Sequence, residues 1–281
     1  MVESLSHNLV VERHRPQSTR NMAQYWPLTS LLRHGPLRER LIVSLDMIDR
    51  FEALRLVDKL VKTAGMFKVG RTLFRSGGPD FIREIRRRGG EVFLDLKFGD
   101  TQQKAMRAAI EATRLGVRMF DIHAQGCVQQ MSRMRAEIAR VCRAEGLRRP
   151  HILAIAMLAR CGVDSLTTST DDCVARLARL AADAGLDGAF TPAHEVQRIR
   201  TACGRRFIIV ACGIQPLDAT GTLALTAAEA VRAGADYLVI GSPILRVTEP
   251  VQAIRAIAED IDRGLRAISR GPSEMFSPRP V

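Results

Sequence analysis

Glu91-Val92-Phe93-Leu94-Asp95-Leu96-Lys97-Phe98-Gly99-Asp100 opens as a buried strand and then delivers three charges within six residues. Period-two alternation sends Phe93, Asp95 and Lys97 to one face and Leu94, Leu96 and Phe98 to the other. A carboxylate and an ammonium therefore emerge side by side, and Asp100 follows just past the strand. Such charges are costly to desolvate unless paired. Either they pair to hold the chain, or they serve chemistry.

The segments on either side have the same plan. Arg40-Leu41-Ile42-Val43-Ser44-Leu45-Asp46 is a strand ending in a carboxylate, and Phe51 to Ala64 has apolar residues at helical spacing. Met66-Phe67-Lys68-Val69-Gly70 is a second strand with a charge inside it, and Pro79 to Arg88 is a helix with Pro in its first turn and Gly89-Gly90 after its end. Beyond the opening stretch, helical patterns over Thr101–Leu115, Val128–Glu145, Asp171–Ala184, Ala193–Thr201, Thr226–Ala233 and Pro250–Leu265 alternate with strands. Those strands are Val117–Ala124, His151–Leu158, Asp187–Phe190, Arg206–Ala211 and Asp236–Gly241.

Eight strand–helix units between Leu41 and Leu265 predict a (β/α)8 TIM barrel over residues 40–265. An open doubly wound sheet is the competing topology, but it wants a Gly-rich first turn, and Asp46-Met47-Ile48-Asp49 is not one. Residues 1–39, with Pro16, Pro27 and Pro36 and no sustained period, are expected to be a loosely ordered N-terminal extension, with a short helix over Leu28–Leu32. Residues 266–281, with Gly271-Pro272, Pro278 and Pro280, are expected to be a short disordered C-terminal tail.

Composition narrows the function classes. The 281 residues are 46% hydrophobic and 26% charged, ordinary globular content. No apolar run is long enough to span a bilayer and Met1 to Thr19 lacks a signal-peptide pattern, so the chain is expected to be cytoplasmic, with no membrane partner. Six cysteines without C-x-x-C pairs suit reduced thiols better than a disulfide frame or a zinc site, and metal ligation has no support. The net charge of +12 raises nucleic-acid binding. Yet the arginines are spread over many helix faces, as in Arg83 with Arg86-Arg87-Arg88, and only Tyr25 and Trp26 are aromatics beside basic residues in a loop-like setting. Nucleic acid is therefore not expected as a partner; attraction of anionic metabolites is.

In a barrel the reacting groups sit at the strands' carboxyl ends, so Asp46, Lys68, Asp95, Lys97, Asp100, His123 and the loops at Gly213 and Gly241 converge on one mouth. Lys68 on the second strand neighbours Asp95 and Lys97 on the third, giving an alternating Lys-Asp-Lys-Asp array with Asp100. A structural ion-pair network explains one such pair. Four charges at adjacent strand ends favour chemistry, each sign being stabilised by its neighbours.

Ser44-Leu45-Asp46, Phe67-Lys68-Val69-Gly70, Asp95-Leu96-Lys97-Phe98-Gly99-Asp100, Asp121-Ile122-His123-Ala124 and Gly234-Ala235-Asp236-Tyr237-Leu238-Val239-Ile240-Gly241 resemble the orotidine 5'-phosphate decarboxylase family, in the right order over residues 41–260. The D-x-K-x-x-D element alone is shared with a wider suprafamily of phosphosugar decarboxylases and aldolases; Phe98 and His123-Ala124 resemble the orotidylate branch. The resemblance implies cofactor-free decarboxylation of orotidine monophosphate to UMP. In it Lys97 stabilises and protonates the C6 carbanion, Asp95 orients Lys97 near the departing carboxylate, and Lys68 holds Asp95 and meets the ribose. Asp46 contacts the ribose, and Asp100 reaches the partner's site in a homodimer.

The remaining substrate contacts are expected where the sequence departs from the family pattern. An arginine directly after the strand-eight glycine is replaced in Gly241-Ser242-Pro243-Ile244, leaving Arg246 to supply the charge. A phosphate-loop glutamine is missing within Asp218–Thr222, so backbone amides at Gly213 and Gly241 become the phosphate donors. Thr101 stands in the altered segment after the catalytic lysine, and Leu158-Ala159-Arg160-Cys161 replaces the base-reading serine, which puts Arg160 at the pyrimidine. Catalytic charges persist while ligand-reading groups drift. A suprafamily lyase acting on another nucleotide or phosphosugar is the alternative, and a non-catalytic nucleotide- or RNA-binding barrel ranks third.

Overall fold

A computed structural model describes residues 37–46, 49–98, 101–123, 128–157, 170–215 and 225–270. Eight parallel strands pair in chain order and close into a barrel: β1 (Leu41–Ser44), β2 (Met66–Gly70), β3 (Glu91–Phe98), β4 (Met119–His123), β5 (His151–Ile155), β6 (Gly188–Pro192), β7 (Ile208–Cys212) and β8 (Tyr237–Ile240). Closure comes from β8 lying against β1, with Leu41 opposite Leu238 and Val43 opposite Ile240. The doubly wound alternative is thereby excluded.

Around the barrel run α1 (Arg50–Leu60), α2 (Arg71–Arg87), α3 (Gln102–Arg114), α4 (Val128–Glu145), α5 (Thr170–Asp183), α6 (Val196–Cys203), α7 (Ala227–Ala233), α8 (Ser242–Leu245) and α9 (Pro250–Arg270). Local chemistry explains several starts. The Asp49 carboxylate accepts from Phe51 N at 2.7 Å, and Thr226 with Glu229 makes a reciprocal capping box on α7. Gly77-Gly78-Pro79, which reads as a break before the second helix, is instead a kink: Gly78 takes φ 59° inside α2, and helix lies on both sides of it. Two short elements were not expected, α8 and a 3-10 turn at Leu37–Arg40, and α9 runs past Leu265 to Arg270.

Strand alternation divides the apolar residues into two cores. Val43, Phe67, Leu94, Phe120, Ile152 and Ile209 face the helices, all nearly inaccessible. Ile42, Met66, Phe93, Met119, Leu153, Phe190, Val210, Tyr237 and Val239 fill the barrel itself. Within that plug Phe93 and Phe190 meet edge to face at 5.3 Å. The plug is a floor, and the next inward-facing positions carry the polar residues.

The opposite end is held by arginine–aspartate clasps. Buried Arg200 donates to the carbonyls of Gly204, Phe207 and Gly234 and, at 2.7 Å, to Asp236, whose Oδ2 also accepts from Ile209 N. Arg149 grips Asp187 through two bonds of 2.9 and 3.0 Å, and Asp187 accepts from Ile152 N. Among the described cysteines Cys142, Cys203 and Cys212 are free thiols, but Cys173 is disulfide-bonded, against the expectation of reduced thiols throughout.

Candidate active site

β1, β2 and β3 lie side by side in register, Ser44 opposite Lys68 and Lys68 opposite Phe93. That register puts Asp95 opposite Gly70, one inward step beyond Lys68, and the long Lys68 side chain spans the step. Lys68 Nζ is 3.1 Å from Asp95 Oδ2 and 3.1 Å from Asp46 Oδ1, and Lys97 Nζ is 2.9 Å from Asp95 Oδ1. Ser44 Oγ donates to Asp46 Oδ2 at 2.6 Å. The result is a continuous chain, Ser44–Asp46–Lys68–Asp95–Lys97, running from β1 to β3.

Its inner part is dry and its ends are open. The Lys68 and Asp95 side chains are each 7% exposed, against 29% for Lys97 and 58% for Asp46. Burial works against the Lys68 ammonium, but Asp95 and Asp46 outweigh it and its pKa is raised. Burial likewise opposes ionisation of Asp95, yet a hydrogen bond from Asp121 and the charges of Lys68 and Lys97 hold its pKa at about 2. Asp95 is therefore a fixed anion gripping two cations. Lys97 is the cation that also faces the mouth.

Of the other expected contacts, Asp46, Gly241, Ser242 and Arg246 line one cavity of about 590 Å³, with Asp49, Glu52 and Leu245. Arg246 ends the short α8 turn, its N–H bonding back to the Ser242 carbonyl at 3.2 Å. His123 ends β4, half-buried, and Gly213 follows β7 with φ 77°. Thr101 is exposed and its hydroxyl caps α3 by accepting from Lys104 N at 3.5 Å. Asp100 and Arg160 lie outside the described residues, as do the Leu158–Cys161 and Asp218–Thr222 segments.

Three residues join the site that sequence reasoning left without a role. Ser44 was the residue before an apolar step, with no signal of its own. Cys212 ends β7, where burial pushes its thiol up to about 11, Lys68 and Asp95 being among the charges it feels. Asp121 is fully buried, and its Oδ1 accepts from Lys97 N at 2.9 Å. Its place was readable: Met119, Asp121 and His123 alternate on β4 as Phe93, Asp95 and Lys97 do on β3.

Fold and array together define a (β/α)8 barrel that presents an alternating lysine–aspartate chain at its carboxyl mouth. The chain belongs to the orotidine 5'-phosphate decarboxylase / HUMPS family, whose model matches residues 39–257. It is 40% identical over 235 residues to the orotidine 5'-phosphate decarboxylase of Moorella thermoacetica, covering 80% of this chain and 93% of that one. It is 42% identical over 244 residues to the orotidine 5'-phosphate decarboxylase of Syntrophotalea carbinolica, covering 81% and 97%. Among solved structures, orotidine 5'-phosphate decarboxylase from Lactobacillus acidophilus superposes with a TM-score of 0.68 at 26% identity, covering 79% of this chain and 98% of that one. Among the described residues no helix is long and apolar enough to cross a membrane.

Proposed function

We propose that the protein decarboxylates orotidine 5'-monophosphate to UMP without a cofactor, and that Lys97 carries the chemistry. The observation behind this reading is the 2.9 Å contact between Lys97 and a buried aspartate whose other oxygen is held by Lys68. When the bond from C6 to the carboxylate breaks, its electron pair stays on C6, with no adjacent carbonyl to receive it. An ammonium fixed beside C6 stabilises that charge and then transfers its proton to the carbon. The neutral amine regains a proton from solvent.

Asp95 has two tasks in this scheme. It holds Lys97 against the reacting carbon, and its charge faces the substrate carboxylate until carbon dioxide departs. Asp46, 58% exposed, is available to the ribose hydroxyls, and Arg246 with the Ser242 hydroxyl forms the phosphate end of the cavity. Asp100 of a second copy completes the site in a cytoplasmic homodimer, as the family resemblance implies.

Purified protein incubated with orotidine monophosphate is expected to lose substrate absorbance as UMP forms, and Lys97→Ala to lower kcat at least about a thousandfold. Full activity in that variant would exclude Lys97 as the proton donor. Ser242, standing where the family pattern has arginine, favours one second reading, a lyase for another phosphorylated substrate. An inert response to orotidine monophosphate, with turnover of a phosphosugar acid, would select it.

A further inference from the structure

β3 and β4 fall out of step at the lysine. Leu94 lies opposite Phe120 and Phe98 opposite Ile122, so three residues of β3, Asp95 to Lys97, span the rise of the single residue Asp121 on β4. Such a bulge re-aims side chains where it occurs. Lys97 sits in it with φ 53°, the one non-glycine residue with positive φ among the described residues. A side chain in that conformation costs roughly 1–2 kcal/mol and persists only where the surroundings enforce it.

Asp121 is the group that faces the bulge. One oxygen, Oδ1, accepts the Lys97 N–H at 2.9 Å, so the main chain of the proposed proton donor is tied to this carboxyl. The other, Oδ2, is sealed from solvent, and no N–H or O–H of another residue reaches it. The titratable group that bears on this carboxyl most strongly is the Asp95 carboxylate of β3. Two ionised carboxylates offer only acceptors, and an oxygen buried without a donor is relieved when one proton is held between the two groups.

We propose that Asp121 is a positioning residue for Lys97: its Oδ1 holds the bulged main chain, and its Oδ2 carries a proton donated in a hydrogen bond to Asp95. The neighbours decide which carboxyl holds the proton. Asp95 pairs with Lys68 on one oxygen and Lys97 on the other. Asp121 pairs with no ammonium or guanidinium among the described residues; the charged groups facing it are Asp95 and Lys97 of β3, and across β5 it meets the apolar Leu153. Burial and the Asp95 charge both push the Asp121 carboxyl well above the usual carboxylate range. One side chain thus fixes the lysine's backbone and, through Asp95, its ammonium.

The inference rests on Lys97 as the proton donor, and its test separates the two. Asp121→Asn keeps the shape, the acceptor and a donor toward Asp95, whereas Asp121→Leu removes both bonds. With orotidine monophosphate, the Asn variant is expected to keep kcat within about threefold and the Leu variant to lose about a hundredfold, with KM little changed in either. An infrared band of a protonated carboxyl at neutral pH is expected in the wild type and absent from Asp121→Asn. Equal kcat losses in Asn and Leu variants would mean that a negative charge is needed, and would overturn the proposal. So would full activity in a folded Leu variant, or an infrared spectrum without the band. The infrared comparison needs no substrate: wild-type inactivity on orotidine monophosphate would defeat the functional reading alone, and the band would still decide the proton's place.

Discussion

Asp95 gives one oxygen to each of two lysines, and its acidity makes that arrangement visible in solution. Its folded pKa of about 2 lies below the roughly 3.9 of an unfolded aspartate. A depressed carboxylate stabilises the fold above the unfolded value, and the contribution is lost as pH falls through the folded one. Relative to Asp95→Asn, urea unfolding of the wild type is therefore expected to show an extra loss on the order of 2 kcal/mol between pH 5 and pH 2. Asp95→Asn is itself destabilised at neutral pH, because Lys68, 7% exposed, keeps only Asp46 as a counter-ion. At the far end of the cavity, Arg246→Ala is expected to lower kcat/KM at least about tenfold, the worth of one charged hydrogen bond to phosphate. Addition of phosphite to a substrate lacking the phosphate group would rescue wild type better than the variant. The charges at this scale were legible because alternation fixes which side chains share a face. The register of Arg246 was not, since nothing in Ser242-Pro243-Ile244-Leu245 announces a single helical turn that folds it back.

Elements tolerate change unequally, and two positions show the range. A Cβ on Gly188 at the start of β6 would lie 2.1 Å from the Ile208 carbonyl oxygen of β7. Backbone cannot retreat there without breaking the ladder, so Gly188→Ala is expected to cost about 3 kcal/mol or more. Thr226→Ala, which removes half of a capping box at a helix end, is expected to cost about 1 kcal/mol. Parallel denaturation curves measure both, and similar costs would contradict the close approach. The strands and most helices were readable from period and capping residues. The first half of α2 was not, because Gly77-Gly78-Pro79 carries every local sign of a stop. Tertiary packing overrides it: Leu73 and Phe81, on either side of the kink, both bury against the barrel. The bulge at Lys97 left no sign in the sequence at all, being set by a partner strand.

Across the whole molecule, stability and chemistry occupy opposite ends. In the clasps of Arg200 on Asp236 and Arg149 on Asp187, the aspartates lie just before β8 and β6, where strands enter the barrel, while the array lies where strands leave it. Arg200→Met, which takes a donor from the Gly204, Phe207 and Gly234 carbonyls and a counter-ion from Asp236, is expected to lower unfolding stability by about 3 kcal/mol and leave kcat unchanged at temperatures where the variant is folded. A drop in kcat without a drop in stability would refute that division. The apolar plug has a consequence for traffic as well. With Phe93, Phe190 and their neighbours filling the interior, the barrel is blind below the array. Under the proposed reaction, carbon dioxide has no rear exit and the spent Lys97 amine has no proton supply from beneath. Among the described residues gas, nucleotide and replacement proton share one opening, so whatever covers that opening sets the order in which they leave and arrive.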